Sequence, residues 1–342
     1  MKFRRVRIES IAWVQPPVEI TSAAIEERLA PAYERLHLPA GRLELMTGIR
    51  ARHFWETPVM ASWASAQAGK KVLAKTRIPK ERIGLVAHCG VCRDRMEPAT
   101  AAYVHAALGL GPRTQILDVS NACLGFLNGM VLASGLIESG QIDAALVATG
   151  EDGRPLLERT IQQFLDPSQT RQSVKSLFAN LTIGAGAAAA VLCRDDLAPD
   201  AMRFCGAVVE TDTGANALCQ GGAANGGLEM ATDSEALLEA GLRVAGRTWE
   251  DFRGELGWEA RDLKRVICHQ VGRVHQRRLL EQLGIDEALD FPTYQFMGNT
   301  GSAAVPTTLA AALEATAIAK GGKVALLGIG SGLSSIMAGI EA

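Results

Sequence analysis

The sequence predicts an α/β protein built from two similar halves, and three observations carry that expectation. Short apolar runs of strand length alternate along the chain with longer stretches of helical periodicity, the pattern of strand–helix–strand units. The helical stretches have small-residue faces, which suit helices sandwiched between sheets. Finally, segments of the second half echo segments of the first. Asn121-Ala-Cys leads into a helix and then a strand reaching Gly150; Asn299-Thr-Gly leads into a helix and then a strand reaching Gly328, and the two align without a gap. The run 83–90 likewise resembles 264–272. A duplicated fold brings corresponding strand ends and helix starts together near a pseudo-twofold axis. Chance likeness between Ala/Gly-rich units is the competing explanation.

In chain order, buried strands are predicted at Ile83–His88, Gln115–Val119, Ala144–Ala148, Ala187–Leu192, Val266–His269 and Val324–Leu327. Helices are predicted at Leu124–Ser139 and Thr307–Lys320. No low-complexity linker separates the halves, but Pro199 and Asp200 mark a junction near 195–203, which divides the chain into 1–195 and 196–342.

Composition excludes several classes. With 342 residues, 48% hydrophobic and 21% charged, the chain can bury a sizeable core and is not disordered. Its 35 Lys and Arg against 37 Asp and Glu, net charge -2, lack the basic excess of a nucleic-acid binder. The basic N-terminus resembles the start of a signal peptide, but Glu9 and Ser10 interrupt the apolar stretch it would need. The longest apolar run, 184–193, is too short for a bilayer span. Seven scattered cysteines imply no disulfide framework, so a reduced, cytoplasmic protein is expected.

Cys123 sits where a buried strand gives way to a helix. There the helix dipole and free N–H groups favour a thiolate, and the same donors can hold an oxyanion when a thioester is attacked. An inert packing thiol is the competing reading. Cys89 and Cys92 form a CxxC, but at a strand end and without a second pair nearby in sequence, so neither redox nor zinc chemistry is expected. Cys193, Cys205, Cys219 and Cys268 are read as packing thiols, and His88, His105 and His275 as structural. His269, followed by Gln270, ends a strand, where α/β folds place chemistry. Asn299 lies in a Gly-flanked loop before a helix, and the Gly328–Gly332 turn can bring backbone N–H groups close to the nucleophile. One Cys, one His and one Asn from separate loops form a sensible acyl-transfer set.

In this order and spacing the chain resembles the thiolase superfamily, specifically its ketoacyl-synthase III branch. The resemblance covers essentially the whole length: Gly48-Ile-Arg-Ala-Arg, Asn121-Ala-Cys, Ile183-Gly-Ala-Gly, His269-Gln270, Gly298-Asn-Thr-Gly-Ser-Ala and Gly330-Ser-Gly332. It implies a homodimer with a five-layer αβαβα fold of two pseudo-repeated halves. It also implies Cys123 as the acyl-accepting nucleophile, backbone N–H groups of Cys123 and Gly332 as a first oxyanion hole, and His269 with Asn299 as a second. Substrates would be CoA thioesters, with no metal or redox cofactor. CoA-binding arginines are not assignable: Arg273, Arg277 and Arg278 read more readily as solvated helix charges.

Within that branch, Glu97 before Pro98-Ala-Thr100 is similar to a segment of OleA-type enzymes, which join two fatty acyl-CoA molecules head to head. Thr21-Ser22, Glu26-Glu-Arg-Leu, Pro31 and Tyr33 add to that likeness. A malonyl donor makes its carbanion by losing CO2, whereas an unactivated acyl-CoA must lose a weakly acidic α-proton, so a carboxylate aimed at that carbon is a natural base. The resemblance implies that Glu97 acts in the neighbouring subunit's site. An exposed first-turn acid is the competing reading. Two other functions stay open: a decarboxylating 3-oxoacyl-ACP synthase III, and an acyl-transfer protein that forms no carbon–carbon bond.

Overall fold

An uninterrupted apolar run suits a strand covered on both faces, and each run expected to be a strand falls on one in the computed structural model, which describes residues 1–224 and 227–342. The strands are β1 (Val6–Val14), β2 (Val18–Thr21), β3 (Ala51–Phe54), β4 (Ile83–Cys89), β5 (Gln115–Val119), β6 (Ala144–Glu151), β7 (Gly186–Arg194), β8 (Met202–Thr211), β9 (Cys219–Ala224), β10 (Gly227–Thr232), β11 (Leu263–Cys268), β12 (Lys323–Gly330) and β13 (Ser334–Glu341). Nine of them form one mixed sheet in the order β11-β12-β13-β8-β1-β7-β6-β4-β5.

That order contains the duplication. From the outer edge inward, the first half runs through its third, second, fourth, fifth and first strands, and the second half through its second, fourth, fifth and first. Where the second half lacks a third strand, an isolated parallel bridge joins Val266 to Asp290. The halves meet where β1 and β8 pair antiparallel at Arg7–Arg203 and Ile8–Met202. Register makes the correspondence residue by residue. β4 and β11 are each bulged against their parallel neighbour at the same place, between Ile83 and Leu85 and between Leu263 and Arg265. Counting on from those bulges equates Cys89, not His88, with His269.

Alternate residues of a central strand face opposite layers. Val86 joins a core formed with the helices Ala61–Lys75, Thr100–Leu108 and Arg154–Leu165, while Leu85 and Ala87 join a second core. That second core holds Phe126, Leu127 and Met130 of helix Gly125–Glu138, Leu309 and Ala310 of helix Ala304–Glu314, and Leu326 and Ile336 of the second half. A third core packs Leu242, Trp249 and Phe252 of helix Ser234–Leu256 against Val266, Leu327 and Met337. The layers are therefore helix, sheet, helix pair, sheet, helix. The central pair needs small faces: a Cβ on Gly129 would collide with the Cys89 sulfur.

Three expectations change. The strand expected to be buried at Gln115–Val119 forms, but at the sheet edge, where Gln115–Asp118 are exposed. The basic N-terminus is a central strand, and Glu9 turns out at a bulge between Ile8 and Ser10 to accept from Thr76 Oγ1 and the Arg77 N–H. The helix expected at Thr307–Lys320 is Ala304–Glu314: it starts earlier because Pro306 fits its first turn, and ends before Thr316, whose φ is 51°. Among the described residues no helix is long and apolar enough to cross a membrane.

Candidate active site

The nucleophile segment is a strained turn. β5 ends at Val119, Ala122 takes φ 45°, unusual for a residue with a side chain, and helix Gly125–Glu138 begins two residues after Cys123. Ser302 holds this conformation from the other half: its hydroxyl donates to the Ala122 carbonyl at 2.6 Å. β12 closes the other side, since a Cβ on Gly330 would lie 3.5 Å from the Cys123 nitrogen. Gly332 has φ 127°, and a Cβ there would meet nothing within 4 Å, so it borders open space.

Asn299 is fixed by paired loops. Its N–H donates to the Thr182 carbonyl and its carbonyl accepts from the Gly184 N–H, both at 2.9 Å. The side-chain oxygen accepts from the Gly301 N–H at 3.0 Å, and no protein acceptor among the described residues takes the amide N–H groups, which are free for a ligand. Arg52, fully buried, supports this loop pair from behind: it donates to Ser22 Oγ at 2.9 Å and to the Leu181 carbonyl at 2.8 Å. Its Cβ packs where Gly298 and Gly184 have no side chain. The Gly48–Arg52 and Ile183–Gly186 motifs thus act by positioning Asn299.

His269 follows β11, and its N–H donates to the Leu327 carbonyl of β12 at 2.9 Å, three residues before the glycine that abuts Cys123. Gln270 turns the opposite way, donating to the Cys268 carbonyl at 2.6 Å and accepting from the Thr293 and Tyr294 N–H groups, which ties the His269 strand to the segment leading to Asn299. Burial, then His275 nearby, push the His269 imidazole down to about 4, so it is neutral near pH 7, and its Nδ1 has no partner.

The electrostatics at Cys123 oppose the sequence expectation. Burial, then Glu151, then Cys219 push its thiol up to about 12. Cys123 lies before the helix rather than in its first turn, so desolvation outweighs the dipole. Cys123, His269, Asn299 and the Gly330–Gly332 turn are therefore gathered at one set of strand ends, around a protonated thiol.

Glu97 is not part of that cluster within one chain. It is exposed on the irregular segment between β4 and helix Thr100–Leu108, with no hydrogen bond or ion pair among the described residues. The first-turn reading does not hold either, because the helix starts three residues later and Asp118 already caps it, accepting from Thr100 N at 2.7 Å and Ala101 N at 2.8 Å. Arg277 and Arg278 pair with Glu287 and Glu239, as expected of solvated helix charges, whereas Arg273 lies over Gly48. Glu151 and Ser302 were not singled out in the sequence, and Cys219, read there as a packing thiol, lies close enough to Cys123 to act on its thiol. The available signal was an acid ending an eight-residue strand that is buried throughout.

Family models for 3-oxoacyl-[acyl-carrier-protein] synthase III match residues 117–213, and for its C-terminal part residues 254–341. The chain is 39% identical to an acyl-CoA:acyl-CoA alkyltransferase of Xanthomonas campestris, covering 99% of both chains. It is 39% identical to the same-named protein of Shewanella oneidensis, covering 100% of both. It superposes with a TM-score of 0.95 at 38% identity on a Cys-to-Ser variant of Xanthomonas campestris OleA with bound lauric acid and lauroyl-CoA, covering 99% of this chain and 100% of that one. The chain has the thiolase fold and belongs to the acyl-CoA:acyl-CoA alkyltransferase (OleA) family within the 3-oxoacyl-ACP synthase III-like enzymes.

Proposed function

We propose that this enzyme condenses two fatty acyl-CoA molecules, without decarboxylation, to a 2-alkyl-3-oxoacyl-CoA. The observation that carries the reading is the convergence of Cys123 and Asn299 through the Ser302–Ala122 bond, beside the strand end that carries His269. Cys123 Sγ attacks the thioester carbonyl of the first acyl-CoA while backbone N–H groups of Cys123 and Gly332 take up the developing charge. The thiol proton leaves with CoA, and the acyl group remains as a thioester on Cys123. The second acyl-CoA binds with its carbonyl oxygen against the Asn299 amide and the neutral His269 imidazole. Glu97 of the partner subunit takes the α-proton, and the carbanion attacks the acyl-cysteine and expels the Cys123 sulfur.

Support for a homodimer comes from the open edge of the sheet. Among the described residues β5 has no neighbour on its outer side, its residues Gln115–Asp118 are exposed, and Ile116 and Leu117 keep 41% and 38% of their surface in solvent. A second copy pairing along that edge would cover them and carry the adjoining Glu97 segment towards the other site. The strand order supports placing the division between the halves at 195/196, and the seven free thiols support a reducing, cytoplasmic setting. The proposed chemistry needs no metal or redox group.

Intact-mass analysis after incubation with one acyl-CoA tests the assignments. The wild type gains one acyl mass and Cys123→Ala gains none. Glu97→Ala acylates normally but condenses at least ~100-fold more slowly, the usual scale for loss of a general base. A thioester adduct on Cys123→Ala, or wild-type condensation by Glu97→Ala, contradicts the respective role. The synthase III family models favour a second reading, decarboxylative condensation with malonyl-ACP, which would release one CO2 per product.

A further inference from the structure

Glu151 is 5% exposed at the end of β6, and no step described so far uses it. Burying a carboxylate costs several kcal/mol unless hydrogen bonds replace its water. Here three backbone donors do so, and they come from two different parts of the site. Oε1 accepts from the Val91 N–H and Oε2 from the Cys92 N–H, both at 3.0 Å. Oε1 also accepts a longer bond from the Ser302 N–H at 3.4 Å. Two glycines make room for the carboxylate: a Cβ on Gly90 would stand 2.9 Å from Oε1, and one on Gly301 3.4 Å from it.

Each donor leads to a functional group. Val91 and Cys92 open the segment that projects Glu97, and His88 Nε2 pairs with the Cys92 carbonyl at 3.0 Å, so the root of that segment is held from both sides. Ser302 holds the Ala122 carbonyl next to the nucleophile, and Gly301 orients Asn299. A negative charge here works against the chemistry in one respect, since Glu151 raises the Cys123 thiol's pKa. Its position therefore does not serve to activate sulfur.

We propose that Glu151 is a positioning residue whose carboxylate clamps the root of the Glu97 segment to the Gly301–Ser302 turn, so that one buried group holds both the base this chain lends its partner and the chain's own oxyanion amide and nucleophile. This rests on the condensation reading above. A glutamine keeps one acceptor but turns its NH2 towards the other backbone donors, so it loosens the clamp with little change in volume.

The test compares wild type, Glu151→Gln and Glu151→Ala by hydrogen–deuterium exchange and by condensation kinetics with a single acyl-CoA. The clamp predicts that in Glu151→Gln the amides of Val91, Cys92 and Ser302 exchange at least ~10-fold faster while the outer helices are unchanged, corresponding to loss of a charge-assisted bond. It further predicts a condensation kcat at least ~10-fold lower with KM within ~3-fold, and a larger loss of kcat in Glu151→Ala. A purely packing role would lower thermal stability without that split. Unchanged exchange at the three amides overturns the clamp whatever the reaction proves to be, and so does wild-type kcat in Glu151→Gln. Failure of the wild type to condense overturns the functional reading instead, leaving the exchange result to decide the clamp.

Discussion

Burial leaves Cys123 a thiol and His269 a neutral imidazole near pH 7, with the first pushed up to about 12 and the second down to about 4. Only the thiolate attacks an electrophile, so alkylation of Cys123 by iodoacetamide should rise about 10-fold for each pH unit between 7 and 10. The sign follows from the raised pKa, because the ionised fraction still grows throughout that window. Peptide mapping, with Cys123→Ala as the blank, measures it. A rate already level at pH 7 would mean a preformed thiolate. At this scale the sequence disclosed residue types and order but not desolvation. Cys123, His269 and Asn299 stand out because glycines and strand ends surround them. Glu151 does not, since a Gly-Glu-Asp-Gly run says nothing of the three N–H groups that will meet it.

Elements were legible where both faces of a strand are covered, as for β4, β6, β7 and β12, because continuous apolar runs leave a clear mark. β1 and β13 mix serines and acids with apolar residues, and a bulge breaks the alternation of β1, so these two inner strands of the sheet were hidden. The repeat itself was visible, but its register was not. The coincident bulges of β4 and β11 anchor the count that equates His269 with Cys89 rather than His88, which only pairing reveals. The open edge of β5 carries its own consequence. Leu117→Asp should leave single chains by light scattering where the wild type is expected to run as dimers, since a charge opposes edge pairing. Those single chains should still acylate Cys123 yet fail to condense. A dimer of normal mass and activity would remove β5 from the interface.

On the scale of the whole molecule, strand ends of the two halves meet at one site, and in the proposed dimer the Glu97 segment would complete a neighbour's. A mixture of Cys123→Ala and Glu97→Ala chains, each inactive in condensation alone, should therefore regain about a quarter of wild-type activity after dissociation and reassociation, because half the dimers are mixed and one site in each is whole. No recovery, with mixed dimers demonstrated by mass, would place the base within its own chain. The fold could be anticipated from motifs, which also nominated the acyl-transfer set, whereas the proposed division of labour between copies rests on an exposed edge and a solitary carboxylate, which exist only in three dimensions.

The central claim is that two acyl thioesters are joined without loss of CO2. Mass analysis of the products formed by the purified enzyme from one long-chain acyl-CoA as sole substrate tests it most directly. The account predicts a single CoA thioester bearing two acyl chains, with one free CoA released for each. Absence of that product unless a malonyl thioester is added, with CO2 released in step, would contradict it.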